Sequence, residues 1–307
     1  MSVALLFPGQ GAQHPGMLRR LPSSPAAART RDEALPVLST LDTAAALRST
    51  TGTQLALLVA GVATARALVD DHGLRVDAVA GHSAGAFGAA VLAGVLDLPG
   101  ALRVLQVRGA AMERACARGS WAMAAVRGLG RVAVQHLIDD VSTRDDPLWV
   151  ANVNAADQIV VAGTRAALGT LRRRAPEAGA RDLTDLAVTV ASHGPLQAGT
   201  AHAVAEALAR ETPGEQRRAY FANTTGRRVA HAPDAVLDDL AQAVQHPVRW
   251  HDIVRLMPEL GITTTVQVPP GHVLSALATR EHPRSISVAV DDLGIPATLH
   301  RLRHPPG

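Results

Sequence analysis

Val76-Asp77-Ala78-Val79-Ala80-Gly81-His82-Ser83-Ala84-Gly85-Ala86-Phe87 is the stretch that decides the reading of this chain. Val76–Ala80 predicts a short buried strand, Gly81–Gly85 a tight turn, and the Ala- and Leu-rich residues 84–95 an apolar helix. Strand, glycine turn and helix make an α/β unit. The turn fits the G-x-S-x-G pattern of a nucleophile elbow. Glycines two residues either side of Ser83 are needed because a Cβ there would clash with the turn. The same geometry puts Ser83 at a helix N-terminus, where the free N–H of Ala84 can face a developing oxyanion. The competing reading is a glycine turn with an incidental serine.

Outward from the elbow, the other elements follow the same logic. Residues 3–7 predict a buried parallel strand closed by Pro8-Gly9. The loop Gly9-Gln10-Gly11-Ala12-Gln13 follows it. Its glycines let the backbone approach a ligand closely, so the loop could offer a second oxyanion N–H. It lacks the spacing of a phosphate loop, and the chain has no lysine to complete one. Residues 51–71 predict a buried helix with Thr51 or Thr53 as cap, and residues 99–118 a helix carrying Arg108 and Glu113. Between 121 and 188 the order is β-α-β-β-α-β. The strands are Trp121–Val126, Leu148–Val153, Gln158–Ala162 and Arg181–Val188, with helices over 130–141 and 164–179. That is the order of a ferredoxin-like unit, read as an α+β insertion. The expected division is a large α/β domain of residues 1–120 and 189–307 and a small domain of 121–188. Further on, 195–211, 234–245 and 249–260 predict helices, and Tyr220–Asn223 and Thr263–Val268 predict strands. The tail His300–Gly307 is expected to fray.

A serine nucleophile needs a base. Of thirteen histidines, His82 is too close to the elbow to reach back. His193 follows a strand and precedes a helix, at the kind of strand end where α/β sites gather. No acid is evident for it. Asp182 and Asp185 fall on the last strand of the small unit, poorly set to orient His193, which weakens a plain esterase reading. Arg108 lies on an otherwise apolar helix face. It reads either as a surface arginine paired with Glu113 or Asp97, or as a fork for a carboxylate substrate.

Composition removes whole classes of function. Of 307 residues, 47% are apolar and 19% charged, which excludes a disordered chain. Seven aromatics argue against stacking on single-stranded nucleic acid. All thirty basic residues are Arg, yet the formal charge is only +3, and the longest cluster, Arg172–Arg174, reads as a solvated helix face. One cysteine, Cys116, excludes an internal disulfide or a Cys-rich zinc site, and no metal is expected. The N-terminus has no basic segment before its apolar run, so no signal peptide is expected. Leu55–Val69 is short for a span and contains Arg66, so no membrane helix is expected and the location is read as cytoplasmic.

Several separated motifs then carry a resemblance. Phe7-Pro8-Gly9-Gln10-Gly11-Ala12-Gln13, Gly81–Gly85, Arg108-Gly109, Asn152–Gly163, Ser192-His193 and Pro247-Val248-Arg249-Trp250 stand in one order. From Val3 to about Arg280 the chain resembles the malonyl-CoA:acyl-carrier-protein transacylases. Within them it looks most like the epsilon subunit of malonate decarboxylase. The marks are His14-Pro15-Gly16-Met17-Leu18, Leu41-Asp42 to Leu68 with Leu47-Arg48-Ser49-Thr50, and Pro269-Pro270-Gly271-His272-Val273-Leu274.

The resemblance implies a hydrolase-like large domain with a ferredoxin-like insertion. It implies Ser83 as nucleophile, His193 as base, Gln10 and Ala84 as oxyanion-hole amides, and Arg108 as the clamp on a malonyl carboxylate. It implies a histidine oriented by backbone carbonyls rather than by an acid. Malonyl-CoA is the implied substrate, and no cofactor is permanently bound. The acceptor is a thiol on an acyl-carrier protein, which in malonate decarboxylase belongs to a CoA-like prosthetic group. One departure stands out: Ala243 replaces the glutamine that fatty-acid members carry four residues before the Pro-Val-x-Trp proline. The alternatives are a stand-alone malonyl- or methylmalonyl-transacylase, a serine esterase, and a non-enzymatic assembly subunit. Ala191-Ser192-His193 is shared with methylmalonyl-selecting domains. Arg-rich residues 165–181 read either as a surface for an acidic carrier or as a solvated helix.

Overall fold

The computed structural model describes residues 2–304. In chain order the elements are β1 (Ser2–Phe7), α1 (Pro25–Leu41), α2 (Thr50–Arg66), β2 (Ala78–Gly81), α3 (Gly85–Ala93), α4 (Leu98–Ala115) and β3 (Trp121–Arg127). Then come α5 (Arg131–Val141), β4 (Leu148–Ala155), β5 (Gln158–Thr164), α6 (Arg165–Arg174), β6 (Asp182–Asp185), α7 (Ala198–Leu208) and β7 (Ala219–Phe221). The last are β8 (Arg228–Val229), α8 (Pro233–Gln242), α9 (Trp250–Glu259), β9 (Ile262–Gln267), α10 (Val273–Glu281), β10 (Ile286–Ala289) and α11 (Val290–Arg303).

The main sheet has the order β10-β9-β1-β2-β7-β8 and is parallel except for the final β7–β8 pair. β1 lies inside it and is buried on both faces, as an apolar run without alternation predicts. Val3, Leu5 and Phe7 face the core formed with α2, α3 and α4, while Ala4 and Leu6 face the core formed with α9 and α10. The pleat divides one strand between two cores. The β1–β2 register matters most for function. Phe7 pairs with Gly81, so both strands end at one level and the Pro8–Ala12 loop emerges beside the Ser83 turn.

The second sheet is antiparallel, in the order β4-β5-β3-β6. That is a ferredoxin-like order, with α5 and α6 packed on one face. The fold class read from the sequence, α/β with a parallel main sheet and a small antiparallel one, is the one observed. β4 is tied to the segment between α8 and α9: Val153 N–H donates to the Val248 carbonyl (2.8 Å) and Val248 N–H to the Ala151 carbonyl (2.9 Å).

Some local expectations change. The cap of α2 is neither Thr51 nor Thr53 but Ser49, whose side chain accepts from Gly52 N–H. The helix also runs on through a π turn to Asp71, making 22 residues that are long and apolar enough to cross a membrane. In this fold 89% of its most apolar window is buried inside the protein, so it serves as the central core helix. β6 is shorter than Arg181–Val188: its ladder with β3 ends at Asp185, and only the bond from Leu186 N–H to the Met123 carbonyl (2.9 Å) continues it. The hairpin between β4 and β5 closes on Ala156-Asp157 alone, since Ala155 still pairs with Gln158. α11 is helical through Arg303, so His300–Arg303 does not fray; residues 305–307 lie outside the described residues. The sequence reading left α1, β8, α10, β10 and α11 without assignment.

Candidate active site

Ser83 sits at the tip of the β2–α3 turn with φ at 55°. A non-glycine residue in that region costs about 1 kcal/mol or more, so the surrounding structure must hold it. Gly85 does much of this by closeness: a Cβ there would lie 2.2 Å from the Phe7 carbonyl oxygen. A Cβ on Gly81 would meet the Gly85 backbone at the same distance. The elbow glycines are thus needed for backbone-to-backbone contact, as the motif implies. Asn223, just beyond β7, completes the support. Its Nδ2 donates to the Gly81 carbonyl (2.8 Å) and its Oδ1 accepts from Ser83 N–H (3.0 Å).

His193 lies in the loop between β6 and α7, itself at positive φ (60°). Its Nε2 stands 2.8 Å from Ser83 Oγ. Its Nδ1–H donates to the Ala243 carbonyl (2.6 Å), and its backbone N–H to the Val244 carbonyl (2.7 Å). The Ala243 bond fixes the tautomer, because a carbonyl can only accept. Nε2 is left with its lone pair toward the serine hydroxyl. Burial, then the nearby Arg108 cation, push the imidazole pKa down to about 3, against the opposing pull of the Ala243 carbonyl. The ring is therefore neutral at ordinary pH. Among the described residues no carboxylate lies within ion-pair distance of it. Asp182 and Asp185 are exposed and pair with Arg127 and Arg172 instead.

Arg108 is 1% exposed, although it is a cation. Neither expected surface partner holds it. Glu113 accepts from Thr51 N–H, and Asp97 caps α4. Nη2 donates to Ser83 Oγ (3.2 Å), while Nη1 is buried with no hydrogen-bond partner. Burial lowers its pKa to about 10, so it stays charged. A buried charge costs several kcal/mol unless something pairs it. The guanidinium is thus an open socket for an anion, next to the hydroxyl.

Ala84 caps α3 and Gln10 lies on the loop after β1; the backbone N–H of each donates to no protein group among the described residues. The two segments approach closely: a Cβ on Gly9 would sit 2.7 Å from the His82 carbonyl. The Gln10 side chain accepts from buried Gln54 (3.2 Å). His82 points away from Ser83, with its Nε2 3.0 Å from Asn154 Oδ1 and its ring against Trp250. Beside this turn runs a cleft of about 280 Å³, lined among others by Gly9, Gln10, His82, Asn152, Asn154 and Leu277.

The structure thus gathers Ser83, His193 and Arg108 within hydrogen-bond reach of one hydroxyl. It sets the Gln10 and Ala84 segments alongside. Sequence reasoning missed Asn223 and Trp149, whose Nε1 donates to the Ser192 carbonyl (3.0 Å) and so braces the His193 loop from β4. For Asn223 the only available signal was its position at the end of a predicted strand.

A family described as acyl transferase domain matches residues 4–292. The chain is 31% identical over 298 residues to the malonyl CoA-acyl carrier protein transacylase of Bacillus subtilis (strain 168), covering 94% of this chain and 93% of that one. It is 33% identical over 285 residues to the protein of the same name in Escherichia coli (strain K12), covering 90% and 92%. Among solved structures, an acyl-carrier-protein-S-malonyltransferase from Bartonella henselae superposes with a TM-score of 0.90 at 30% identity, covering 99% and 100%. A malonyl-transacylase solved in complex with its type II PKS acyl-carrier protein gives 0.88 at 31% identity, covering 96% and 97%.

Proposed function

The chain belongs to the acyl transferase domain family, and from that premise we propose that it moves a malonyl group from malonyl-CoA to the thiol of an acyl-carrier protein through a malonyl ester on Ser83. The observation that carries this reading is Arg108: a buried cation with an unpaired Nη1, whose Nη2 lies 3.2 Å from Ser83 Oγ. A substrate that brings a carboxylate two carbons from its reacting carbonyl satisfies the guanidinium and presents the thioester to the serine in one pose. An acetyl group leaves the socket unpaired, which costs a few kcal/mol.

The chemistry then runs in two halves. His193 Nε2 takes the Ser83 proton as Oγ attacks the thioester carbonyl. The new C–O bond turns the carbonyl into an oxyanion, which the N–H groups of Gln10 and Ala84 are assigned to stabilise. Collapse breaks the C–S bond, and the CoA thiolate takes the proton back from His193. The carrier thiol repeats the sequence in reverse and frees Ser83. Substrate binding also helps the base. A carboxylate on Arg108 cancels one of the charges that hold the His193 pKa down.

With this reading goes the division into a large unit, 1–120 and 189–307, and a small unit, 121–188. The relatives reported above carry the carrier-protein transacylase name, which favours a stand-alone enzyme of fatty-acid or polyketide synthesis. The narrower role, loading the carrier subunit of malonate decarboxylase, rests on the sequence marks at His14–Leu18 and Pro269–Leu274.

The test is intact-protein mass spectrometry after brief mixing with malonyl-, acetyl- or methylmalonyl-CoA, on wild type and Ser83→Ala. A malonyl adduct on wild type alone, with little from acetyl-CoA, supports the reading. An equal methylmalonyl adduct points to a branched extender. No adduct, with malonyl-CoA intact, sinks it. Presenting the malonyl-enzyme with a phosphopantetheine carrier and with a decarboxylase carrier then separates the two roles.

A further inference from the structure

Asp239, on α8, is the only carboxylate in the buried class among the described residues, at 3% exposure. No cation pairs with it. Instead four donors converge on its two oxygens. Oδ2 accepts from Tyr220 Oη (2.7 Å) and Asn223 N–H (3.0 Å), and Oδ1 from Thr224 N–H (2.8 Å) and Thr224 Oγ1 (2.7 Å). Burying a carboxylate is expensive, and these four hydrogen bonds offset that cost.

Two supports of the site grow from this one residue. On the first side, Asp239 pins the backbone of Asn223, and the Asn223 side chain bridges the Gly81 carbonyl and Ser83 N–H. On the second side, the bonds to the Asp239 side chain fix the end of α8, where the Asp239 main-chain carbonyl accepts the helical i→i+4 bond from Ala243 N–H (2.8 Å) and the Ala243 carbonyl accepts from His193 Nδ1–H (2.6 Å). Ser83 and His193 both sit at positive φ, so neither holds its place by local preference. We propose that Asp239 is a positioning residue that sets the separation of Ser83 Oγ and His193 Nε2, anchoring the nucleophile through Asn223 and the base through Ala243. It does not touch the imidazole. The acid missing beside His193 stands behind both partners instead. This rests on the reading of Ser83 and His193 as nucleophile and base.

Tyr220 separates positioning from mere stabilisation, because its bond to Asp239 lies on neither path. The experiment follows Ser83 labelling by a neutral fluorophosphonate, which needs the serine and its base but no malonyl group. It measures the rate constant, the final stoichiometry and thermal melting of the full chain, for wild type, Asp239→Asn and Tyr220→Phe. The expected result is that Asp239→Asn reaches wild-type stoichiometry between about ten- and a hundredfold more slowly, whereas Tyr220→Phe melts lower but labels at the wild-type rate. If Asp239→Asn labels its folded fraction at the wild-type rate, the proposal is overturned. Should that variant not fold, Asn223→Ala tests the first path. Slow labelling supports the proposal and wild-type labelling overturns it. Wild type that labels but takes no malonyl group refutes the substrate assignment and leaves this test intact. Wild type that does not label refutes both.

Discussion

Arg108 Nη2 lies 3.2 Å from Ser83 Oγ, and no carboxylate of the chain pairs with that guanidinium among the described residues. Ser83 and an unpaired buried cation are direct neighbours. A cation kept there without a partner is a cost to folding that only a ligand repays.

Arg108→Met should therefore divide function from stability. Acylation by malonyl-CoA should fall about a hundredfold or more, and the preference over acetyl-CoA should largely disappear. The melting temperature should be no lower than wild type, because an apolar chain of similar length replaces an unpaired charge. Acylation rates with the two thioesters and a melting scan test it. Retained selectivity would remove Arg108 from substrate recognition.

The second expectation concerns pH. His193 is neutral when folded down to about pH 3, but protonates near 6.5 when unfolded. Between those values the unfolded chain binds the extra proton, so stability is full above about 6.5 and falls as pH drops toward 3. The slope approaches about 1.4 kcal/mol per pH unit from this group. Half-buried His82, also shifted down by desolvation, adds to it in the same direction. Urea unfolding at pH 7 and pH 4.5 measures the loss, and His193→Gln should reduce it. Fluorophosphonate labelling of the protein that stays folded should change little over this range.

Gly85→Ala tests the elbow. Its Cβ would press on the Phe7 carbonyl at 2.2 Å, which no rotamer can relieve. Unfolding free energy should drop by about 3 kcal/mol or more, and Ser83 labelling should be lost. Gly199→Ala, on α7 with nothing within 4 Å of the added carbon, should instead leave stability unchanged or raise it by up to about 1 kcal/mol.

Trp149→Phe keeps a ring on β4 but removes the N–H held by the Ser192 carbonyl. The acylation rate should fall by up to about tenfold with KM unchanged, since the loss is one hydrogen bond behind His193. A raised KM at constant rate would make Trp149 a substrate contact instead.

The elbow was legible because its constraint is local: Gly81, Ser83 and Gly85 are separated by single residues, and their spacing alone implies the contacts seen. The β-α-β-β-α-β order of the insertion was legible for the same reason, through the period of each element. α1 escaped notice because charged residues and Pro36 interrupt its pattern, and β10 because four residues make little signal. Asp239 carries no mark at all, and Asn223 only its place at the end of a predicted strand. Each is an ordinary polar residue until β7 and α8 are set behind the elbow.

The contact that orients His193 comes from the backbone of Ala243, and a carbonyl has no letter in a sequence. The Gln-to-Ala departure there concerns a side chain, whereas the bond uses the main chain, which any residue supplies. Local chemistry thus set the strand ends, the serine turn and the candidate histidine and arginine. Distance and burial belong to the fold. Arg108 reads equally well as a surface residue or a buried clamp until α4 packs against α2 and the elbow. A side chain's neighbours across the sheet follow from how helices pack, and chain spacing does not encode them.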